Sequence, residues 1–142
     1  MSAQKRGLAF EKDVARLLRR LGWGMVRHNV TLRDSHGNIS QIDMTCGTWR
    51  RYYVECKCYA DPVPLKDVAK FSSVLELNGI PRSRGIFITN STYVPRASTI
   101  GIRCVDGKEL EAWRRRARWR PLVGPAILGL CVGSIILTQY LP

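Results

Sequence analysis

The sequence predicts an α/β fold in which helices flank a central mixed sheet, with elements in the order αβββαββα and one transmembrane helix after them. Three observations support this prediction. Apolar residues recur at helical spacing over 7–21, alternating or β-branched runs follow at 25–32, 39–46 and 51–59, and the apolar run at 85–89 is typical of a buried central strand. A length of 142 residues suits one domain, and 45% hydrophobic residues exclude a wholly disordered chain.

The first helix is predicted over 7–21 and ends at Gly22. One apolar stripe runs along it, formed by Phe10, Val14, Leu17, Leu18 and Leu21. In the strand that follows, alternation puts four side chains on one face: Val26, His28, Val30 and Leu32. His28 is therefore predicted to be a core histidine rather than a catalytic one.

The later elements follow from turn residues and apolar spacing. Turns are predicted at 34–38, at Gly47 and at Asp106-Gly107, and the Asp61-Pro-Val-Pro64 segment introduces a helix. The predicted strands are 39–46, 51–59, 85–89 and 100–105, and the predicted helices are 65–78 and 108–118. No internal repeat interrupts this order, so the elements are expected to build one sheet.

The chain has a formal charge of +12, from 23 basic and 11 acidic residues, which predicts a polyanionic partner, either nucleic acid or an anionic membrane. The charge is unevenly distributed. Residues 1–112 hold 18 basic and all 11 acidic residues, 113–120 add five arginines, and 121–142 have no charge. The five cysteines include no Cys-x-x-Cys pair, which argues against a disulfide framework or a structural zinc site.

Residues 121–142 are predicted to be a transmembrane tail anchor. Leu122–Leu141 is a stretch of 20 residues without a charge, and as a helix it would span about 30 Å, the hydrocarbon thickness of a bilayer. A buried core helix is the alternative, although so small a domain can hardly enclose one. The basic, tryptophan-containing stem at 113–120 would place domain 1–112 on the cytosolic-type face of a mitochondrial or bacterial inner membrane.

Charged side chains on the second and third strands form the candidate site. Strand parity puts Glu55 and Lys57 on one face, about 7 Å apart, and a hairpin can bring Asp43 beside Glu55. Two carboxylates supply the oxygen ligands that suit Mg²⁺, and a neighbouring lysine can stabilise charge on a phosphate or orient a water. The alternative for this pattern is a solvated cross-strand salt bridge.

Four more residues extend this candidate site. Glu11 lies at the border of the apolar stripe of its helix, so its carboxylate can reach the sheet, and Gln41 shares the predicted face of Asp43. Lys66 and Lys70 lie one helical turn apart and can line a phosphate track, with an ordinary exposed helix face as the equal alternative.

Several short motifs, in their order along the chain, resemble a known group of enzymes. Gly7-Leu-Ala-Phe-Glu11, Gln41-Ile-Asp-Met44 and Tyr53-Val-Glu-Cys-Lys57 resemble motifs of the PD-(D/E)xK nuclease superfamily. Downstream, Gly85-Ile-Phe-Ile-Thr89, Gly101-Ile102 and Asp106-Gly107 are similar to the Mrr-type restriction endonuclease branch. The resemblance covers residues 7–112.

The resemblance implies a restriction-endonuclease-like αβββαβ core and metal-dependent hydrolysis of DNA phosphodiester bonds, with Mg²⁺ as the ion and Mn²⁺ as the alternative. Carried over by residue, Asp43 and Glu55 hold the metal, and Lys57 acts on the nucleophile or the transition state. Glu11 supports a water of the metal site, and Gln41 contacts the phosphate or a water.

Two departures leave the substrate preference open. Glu55 stands where Mrr-type proteins often have glutamine, which is closer to Holliday junction resolvases, and 36–41 replace a Gly/Asp-rich stretch. Many such nucleases are homodimers.

The sequence thus predicts a membrane-anchored endodeoxyribonuclease whose partners are DNA, membrane lipid and a second copy of itself. Two other functions stay open. A catalytically inactive nucleic-acid-binding module of the same fold would bind DNA with strong salt dependence and no response to Mg²⁺. A membrane scaffold or assembly protein would bind liposomes and have no affinity for DNA.

Overall fold

The computed structural model describes residues 1–119, in which three helices flank a five-stranded sheet. The helices are α1 (Ala3–Arg20), α2 (Leu65–Leu77) and α3 (Gly107–Trp119). The strands are β1 (Arg27–Arg33), β2 (Ile39–Cys46), β3 (Tyr52–Lys57), β4 (Gly85–Thr89) and β5 (Arg103–Val105). The predicted order of elements is confirmed, but β5 is shorter than predicted because Pro95–Ile100 is a 3₁₀ helix.

The sheet is mixed, as predicted. Its strands lie side by side in chain order. β1, β2 and β3 pair antiparallel, whereas β3, β4 and β5 pair parallel. The connection between parallel strands β3 and β4 contains α2, as is usual for a crossover connection.

Helices cover both faces of the sheet and create two apolar cores. On one face, α1 and α3 pack against the sheet, with these principal residues: Val14, Leu18, Met44, Val54, Cys56, Ile86, Ile88 and Leu110. On the other face, α2 packs against the sheet through Val68, Phe71, Leu75, Ile42 and Phe87. Strand β4 lies between the two cores, which explains why all five of its residues are buried.

Near β1, apolar side chains that alternation places on one face pack against two different cores. Just before β1, Val26 packs against the core of α1, whereas Val30 and Leu32 within β1 pack against the core of α2. Between them, Asn29 adopts a left-handed backbone conformation with φ of 49°. The predicted common face of this strand is therefore wrong, because the backbone rotates at Asn29. His28 is exposed rather than buried, and its Nε2 lies 3.3 Å from the guanidinium of Arg19.

Strand β2 changes face at the neighbouring position. Met44 belongs to the core of α1, and Ile42 belongs to the core of α2. Asp43 stands between them, so it occupies the point where β2 switches faces. Uniform alternation along a strand would put Ile42 and Met44 on the same side, and it fails here because a period of two assumes a regular strand.

The predicted transmembrane anchor at 121–142 lies outside the described residues, as does Arg120 at the end of the stem. Among residues 1–119, no helix is long and apolar enough to cross a membrane. The rest of the predicted stem, 113–119, forms the second half of α3. The stem is thus continuous with the last helix of the domain.

Candidate active site

Asp43 and Glu55 meet where β2 and β3 stop pairing. The antiparallel ladder runs through Cys46↔Tyr52, Thr45↔Tyr53 and Met44↔Val54, and one further step in this register sets Asp43 opposite Glu55. At that step a side chain takes over from the backbone ladder, because Oδ2 of Asp43 accepts a hydrogen bond of 2.6 Å from the N–H of Cys56. The predicted approach of Asp43 to the Glu55 segment is thus present.

Glu55 and Lys57 form an ion pair on the outer part of β3. The Nζ of Lys57 donates a hydrogen bond of 2.7 Å to Oε1 of Glu55. The side chain of Lys57 is 34% exposed and that of Glu55 is 17% exposed, so the pair is half-buried and open to solvent on one side. From β4, the hydroxyl of the fully buried Thr89 donates to the carbonyl of Lys57 at 2.8 Å and fixes the backbone beneath this pair.

A cleft of about 270 Å³ lies between this part of the sheet and α2. Its polar lining consists of Gln41, Glu55, Lys57, Tyr59, Asp67 and Lys70. The structure therefore brings Gln41 and Lys70 to the same cleft as Glu55 and Lys57. Lys66 is exposed near the start of α2 and does not line the cleft.

Tyr59, Asp67 and Asn90 belong to this site, although sequence reasoning did not assign them to it. The hydroxyl of Tyr59 donates a hydrogen bond of 2.7 Å to Oδ2 of Asp67 in the first turn of α2. Asn90 binds the backbone of Tyr59 at both of its polar groups, accepting from the N–H at 2.9 Å and donating to the carbonyl at 3.0 Å. The available signal was parity, because Tyr59 shares the predicted face of Glu55 and Lys57.

The three predicted carboxylates lie within electrostatic range of each other. Burial raises the pKa of Glu55, and the charge of Asp43 raises it further, against the opposing effect of Lys57. Burial and the charge of Asp43 also raise the pKa of Glu11. Burial raises the pKa of Asp43 itself, although the Cys56 N–H and Lys57 oppose the shift. Glu11 of α1 thus lies close enough to Asp43 and Lys57 for their charges to affect its pKa.

The Lys57 ammonium is held in its charged form. Burial alone would lower the pKa of Lys57, but the carboxylates of Glu55 and Asp43 outweigh it, and the net pKa is raised. Lys57 therefore stays protonated at neutral pH. In this environment it can act as a positive charge or a hydrogen-bond donor.

Comparison with known proteins gives a family for this arrangement. The Mrr_cat family, described as "Restriction endonuclease", matches residues 3–114. The chain belongs to this restriction endonuclease family. No curated protein matches the sequence.

Three solved structures resemble the fold of this Mrr_cat chain. A protein of unknown function, AF1548, has 24% identity and a TM-score of 0.55, and the match covers 68% of this chain and 55% of that one. The DNA modification-dependent restriction endonuclease AspBHI has 20% identity and a TM-score of 0.54, with 89% and 35% covered. Protein VC1899 from Vibrio cholerae has 15% identity and a TM-score of 0.52, with 79% and 32% covered.

The chain therefore spans about half of the first of these proteins and a third of the other two. The likenesses in structure bear on the fold alone. Together with the family match they confirm the predicted restriction-endonuclease-like α/β fold of this Mrr_cat domain.

The carboxylates of this Mrr_cat domain fit a divalent cation of the Mg²⁺ kind. Within residues 1–119, no cluster of three or more His, Cys, Asp or Glu side chains could hold a metal ion alone. Mg²⁺ does not need such a cage, because it commonly binds one or two carboxylates and completes its shell with waters and substrate phosphate. Asp43 and Glu55 supply such oxygens, and a cation would offset both the burial of Glu55 and the charge of Asp43, which together raise the pKa of Glu55.

Proposed function

We propose that this chain is a membrane-anchored endonuclease that hydrolyses DNA phosphodiester bonds with Mg²⁺. One observation supports the catalytic part above all. Asp43, Glu55 and Lys57 converge where β2 and β3 part, through the 2.6 Å bond to the Cys56 N–H and the 2.7 Å ion pair. A solvated salt bridge, the alternative reading of the pattern, would not need a second acid, Asp43, whose charge adds to burial in raising the pKa of Glu55.

Asp43 and Glu55 would hold the ion, which when bound would polarise the scissile phosphate and assist deprotonation of a water. Lys57 would stabilise the negative charge that develops on the phosphate. Its raised pKa supports this role over that of a general base. The carboxylate of Glu11 would orient the attacking water from the α1 side, consistent with the effect of Asp43 and Lys57 on the pKa of Glu11.

The cleft beside α2 would receive the DNA backbone. Lys70 and Gln41 line it together with Lys57, so one cation and one amide face the space next to the ion pair. Lys66 would contact a phosphate farther along the same DNA strand, because it is exposed one helical turn before Lys70. We also propose Mn²⁺ as an alternative ion and a homodimer as the form that cuts both strands.

The anchoring part of the proposal rests on composition. Residues 121–142 contain no charged residue, and the arginine-rich end of α3 precedes them. This order is typical of a membrane span with a basic flank on the cytosolic-type side. The catalytic domain would then face the compartment that holds DNA.

The test uses the full chain in detergent with supercoiled and linear DNA. We expect nicking or cutting with Mg²⁺, none with EDTA, and a loss of about 10²- to 10³-fold in kcat for Lys57→Ala. Asp43→Asn should reduce cutting at least as much. Glu76→Gln is the control, because it removes an acid on α2 that pairs with Arg82.

Cutting that survives both Lys57→Ala and Asp43→Asn would overturn the catalytic assignment. DNA binding that falls with salt but ignores Mg²⁺, without any cutting, would support the inactive binding module instead.

A further inference from the structure

The direction of α3 sets where the chain leaves the domain. The N–H of Gly107, the first residue of α3, donates a hydrogen bond of 2.8 Å to the carbonyl of Ser91, next to Asn90, which binds the Tyr59 backbone. The helix therefore starts at the end of the sheet that holds the candidate active site.

The other half of α3 lies at the opposite end. The Trp113 ring lies 6.2 Å from the ring of Trp23, which lies 5.3 Å from the ring of Tyr52, the first residue of β3. Trp119 is six residues farther, about 9 Å along the helix. The chain thus leaves α3 at the end where β3 begins, and Lys57 stands at the other end of that strand, about 17 Å away.

Exposed apolar side chains surround this exit point. The β2–β3 loop is tied to the segment after α1, because the N–H of Gly47 donates to the carbonyl of Gly24 at 2.6 Å. On this loop, Trp49 is 98% exposed, and it lines one shallow cavity together with Met25, which is 57% exposed. Trp119 at the end of α3 is 71% exposed. Three large apolar side chains therefore face solvent at one end of the domain.

The same end is strongly basic. The three segments that build it, 19–27, 47–53 and 112–119, contain nine arginines and no acidic residue. One of the nine, Arg114, is paired with Asp13 and Glu111. Others, including Arg20 and Arg118, line a groove of about 450 Å³ between α1 and α3. This groove is larger than the cleft of the candidate active site, and none of the predicted catalytic residues lines it.

We call this end the basal surface and define it by Arg20, Met25, Trp49, Arg51, Arg118 and Trp119. We propose that the basal surface lies flat on an anionic bilayer and holds the candidate active site away from the lipid. The proposal rests on the proposed anchoring by 121–142 and adds the orientation of the domain. Arginines would bind lipid phosphates, while Trp49 and Met25 would enter the interfacial layer.

Two features favour lipid over DNA as the occupant. Exposed methionine and tryptophan side chains beside arginines match the chemistry of a headgroup region, where one part of the contact is apolar and the other charged. The chain also leaves α3 at the basal surface immediately before the charge-free segment 121–142, so an anchor in the membrane would bring this surface against the lipid. DNA bound there would lie about 17 Å from Lys57.

The experiment uses the full chain in nanodiscs made of phosphatidylcholine and phosphatidylglycerol, with and without brominated acyl chains. We expect bromolipid to reduce tryptophan emission. In Trp49→Phe, this loss of emission should be smaller than in the wild type. Trp23→Phe is the matched control, since it also removes one indole, but from a half-buried ring packed on Tyr52 and Trp113. The Arg50→Glu/Arg51→Glu double variant should lower quenching at Trp49 in anionic nanodiscs and leave cutting of DNA in detergent unchanged.

The outcomes separate the two proposals. A full chain that does not enter nanodiscs would overturn both the anchoring and the orientation. A chain that enters them but shows equal quenching in wild type and Trp49→Phe would overturn the orientation alone, as would unchanged quenching in the charge-reversal variant. Loss of DNA affinity in detergent on Arg50→Glu/Arg51→Glu would assign the basal surface to nucleic acid instead. A chain that is held in this orientation but never cuts DNA would refute only the proposed catalysis.

Discussion

Oδ2 of Asp43 lies 2.6 Å from the backbone N of Cys56 and accepts its hydrogen bond, at the position where the β2–β3 ladder ends. This acidic side chain thus has a structural partner as well as a catalytic role in the proposal. The bond satisfies an N–H that β2 leaves unpaired, and it keeps the carboxylate beside Glu55. Substitutions at Asp43 therefore divide into those that keep an acceptor and those that remove it.

We predict that Asp43→Asn raises the melting temperature of the metal-free protein at neutral pH. The pKa values of Asp43, Glu11 and Glu55 are raised in the folded state, so the folded protein binds protons more tightly than the unfolded chain does. The stability linked to protonation is present at pH values below the ordinary carboxyl pKa, and it is lost as pH rises through the raised values. Calorimetry with EDTA at pH 7 and at pH 4 measures the difference.

Asn keeps an oxygen acceptor for the Cys56 N–H, so the gain in stability should appear at pH 7 and shrink at pH 4. Asp43→Ala is the comparison variant, because it removes charge and acceptor together and should be less stable than Asp43→Asn at both pH values. A lower melting temperature for Asp43→Asn than for wild type at pH 7 would contradict the proposed charge repulsion.

A second prediction concerns the cation. Mg²⁺ should raise the melting temperature of the wild type, because a ligand that binds only the folded state stabilises it by mass action. The rise should disappear in Asp43→Asn, while Glu76→Gln should respond as the wild type does. An equal response of Asp43→Asn and wild type to Mg²⁺ would show that the ion binds elsewhere.

Glu11→Gln should lower kcat and leave the melting temperature of the metal-bound protein nearly unchanged. The expected loss in kcat is about 10- to 10²-fold, which is smaller than the loss expected when a group that directly stabilises the transition-state charge is removed. Asp13→Asn is the matched control on α1, since it removes the same charge from a side chain that faces Arg114. Single-turnover cleavage distinguishes the two, and equal rates for both variants would remove Glu11 from the site.

Much of the fold was predictable because its signals are local. Apolar spacing identified α1, and the GIFIT run identified β4 between two layers. The change of core face at Asn29 and Asp43 was not predictable, because it depends on a left-handed residue inside a strand that no neighbouring residue type demands. Local parity therefore placed Glu55 and Lys57 correctly and failed for the strand that bears Asp43.

The candidate site was likewise predictable only where its residues lie on one element. Residues on one strand, such as Glu55 and Lys57, were grouped correctly by spacing alone. Tyr59 and Asp67 meet only because α2 folds back over the sheet, and Asn90 reaches Tyr59 from 31 positions away along the chain. Pairings of this kind are decided by tertiary packing, which a single sequence does not display.

Thr89→Val should weaken both the fold and the reaction. The buried Thr89 hydroxyl donates to the Lys57 carbonyl and accepts from the N–H of Ser91, so the nearly isosteric valine leaves two backbone groups without this partner. We expect a loss of about 1–3 kcal/mol in the free energy of unfolding and a lower kcat at unchanged KM. Thr99→Val is the control, because Thr99 is exposed and bonds only locally to Arg96. A KM change without a kcat change would speak against positioning of Lys57.

Lys70→Ala should weaken DNA binding mainly at low salt. A lysine that contacts one phosphate contributes about 0.9 to the slope of log K against log salt on duplex DNA. The slope should fall by about that amount in Lys70→Ala and stay unchanged in Arg50→Ala, which lies on the loop at the other end of β3. Fluorescence anisotropy in Ca²⁺, without cutting, measures both slopes. A larger effect at Arg50 than at Lys70 would move the DNA track away from the cleft.

Strand β3 also sets the distance between the basal surface and the candidate active site. Its six residues separate the end with Trp49 from the end with Lys57 by about 17 Å, which is about two Debye lengths at physiological ionic strength. On an anionic membrane, lipid phosphates repel DNA strongly at contact but only weakly at that distance. A domain bound to the bilayer through the arginines of its basal surface would thus hold its cleft beyond the range of strong repulsion by lipid phosphates. Duplex DNA could reach the cleft there, although the membrane surface itself would repel it.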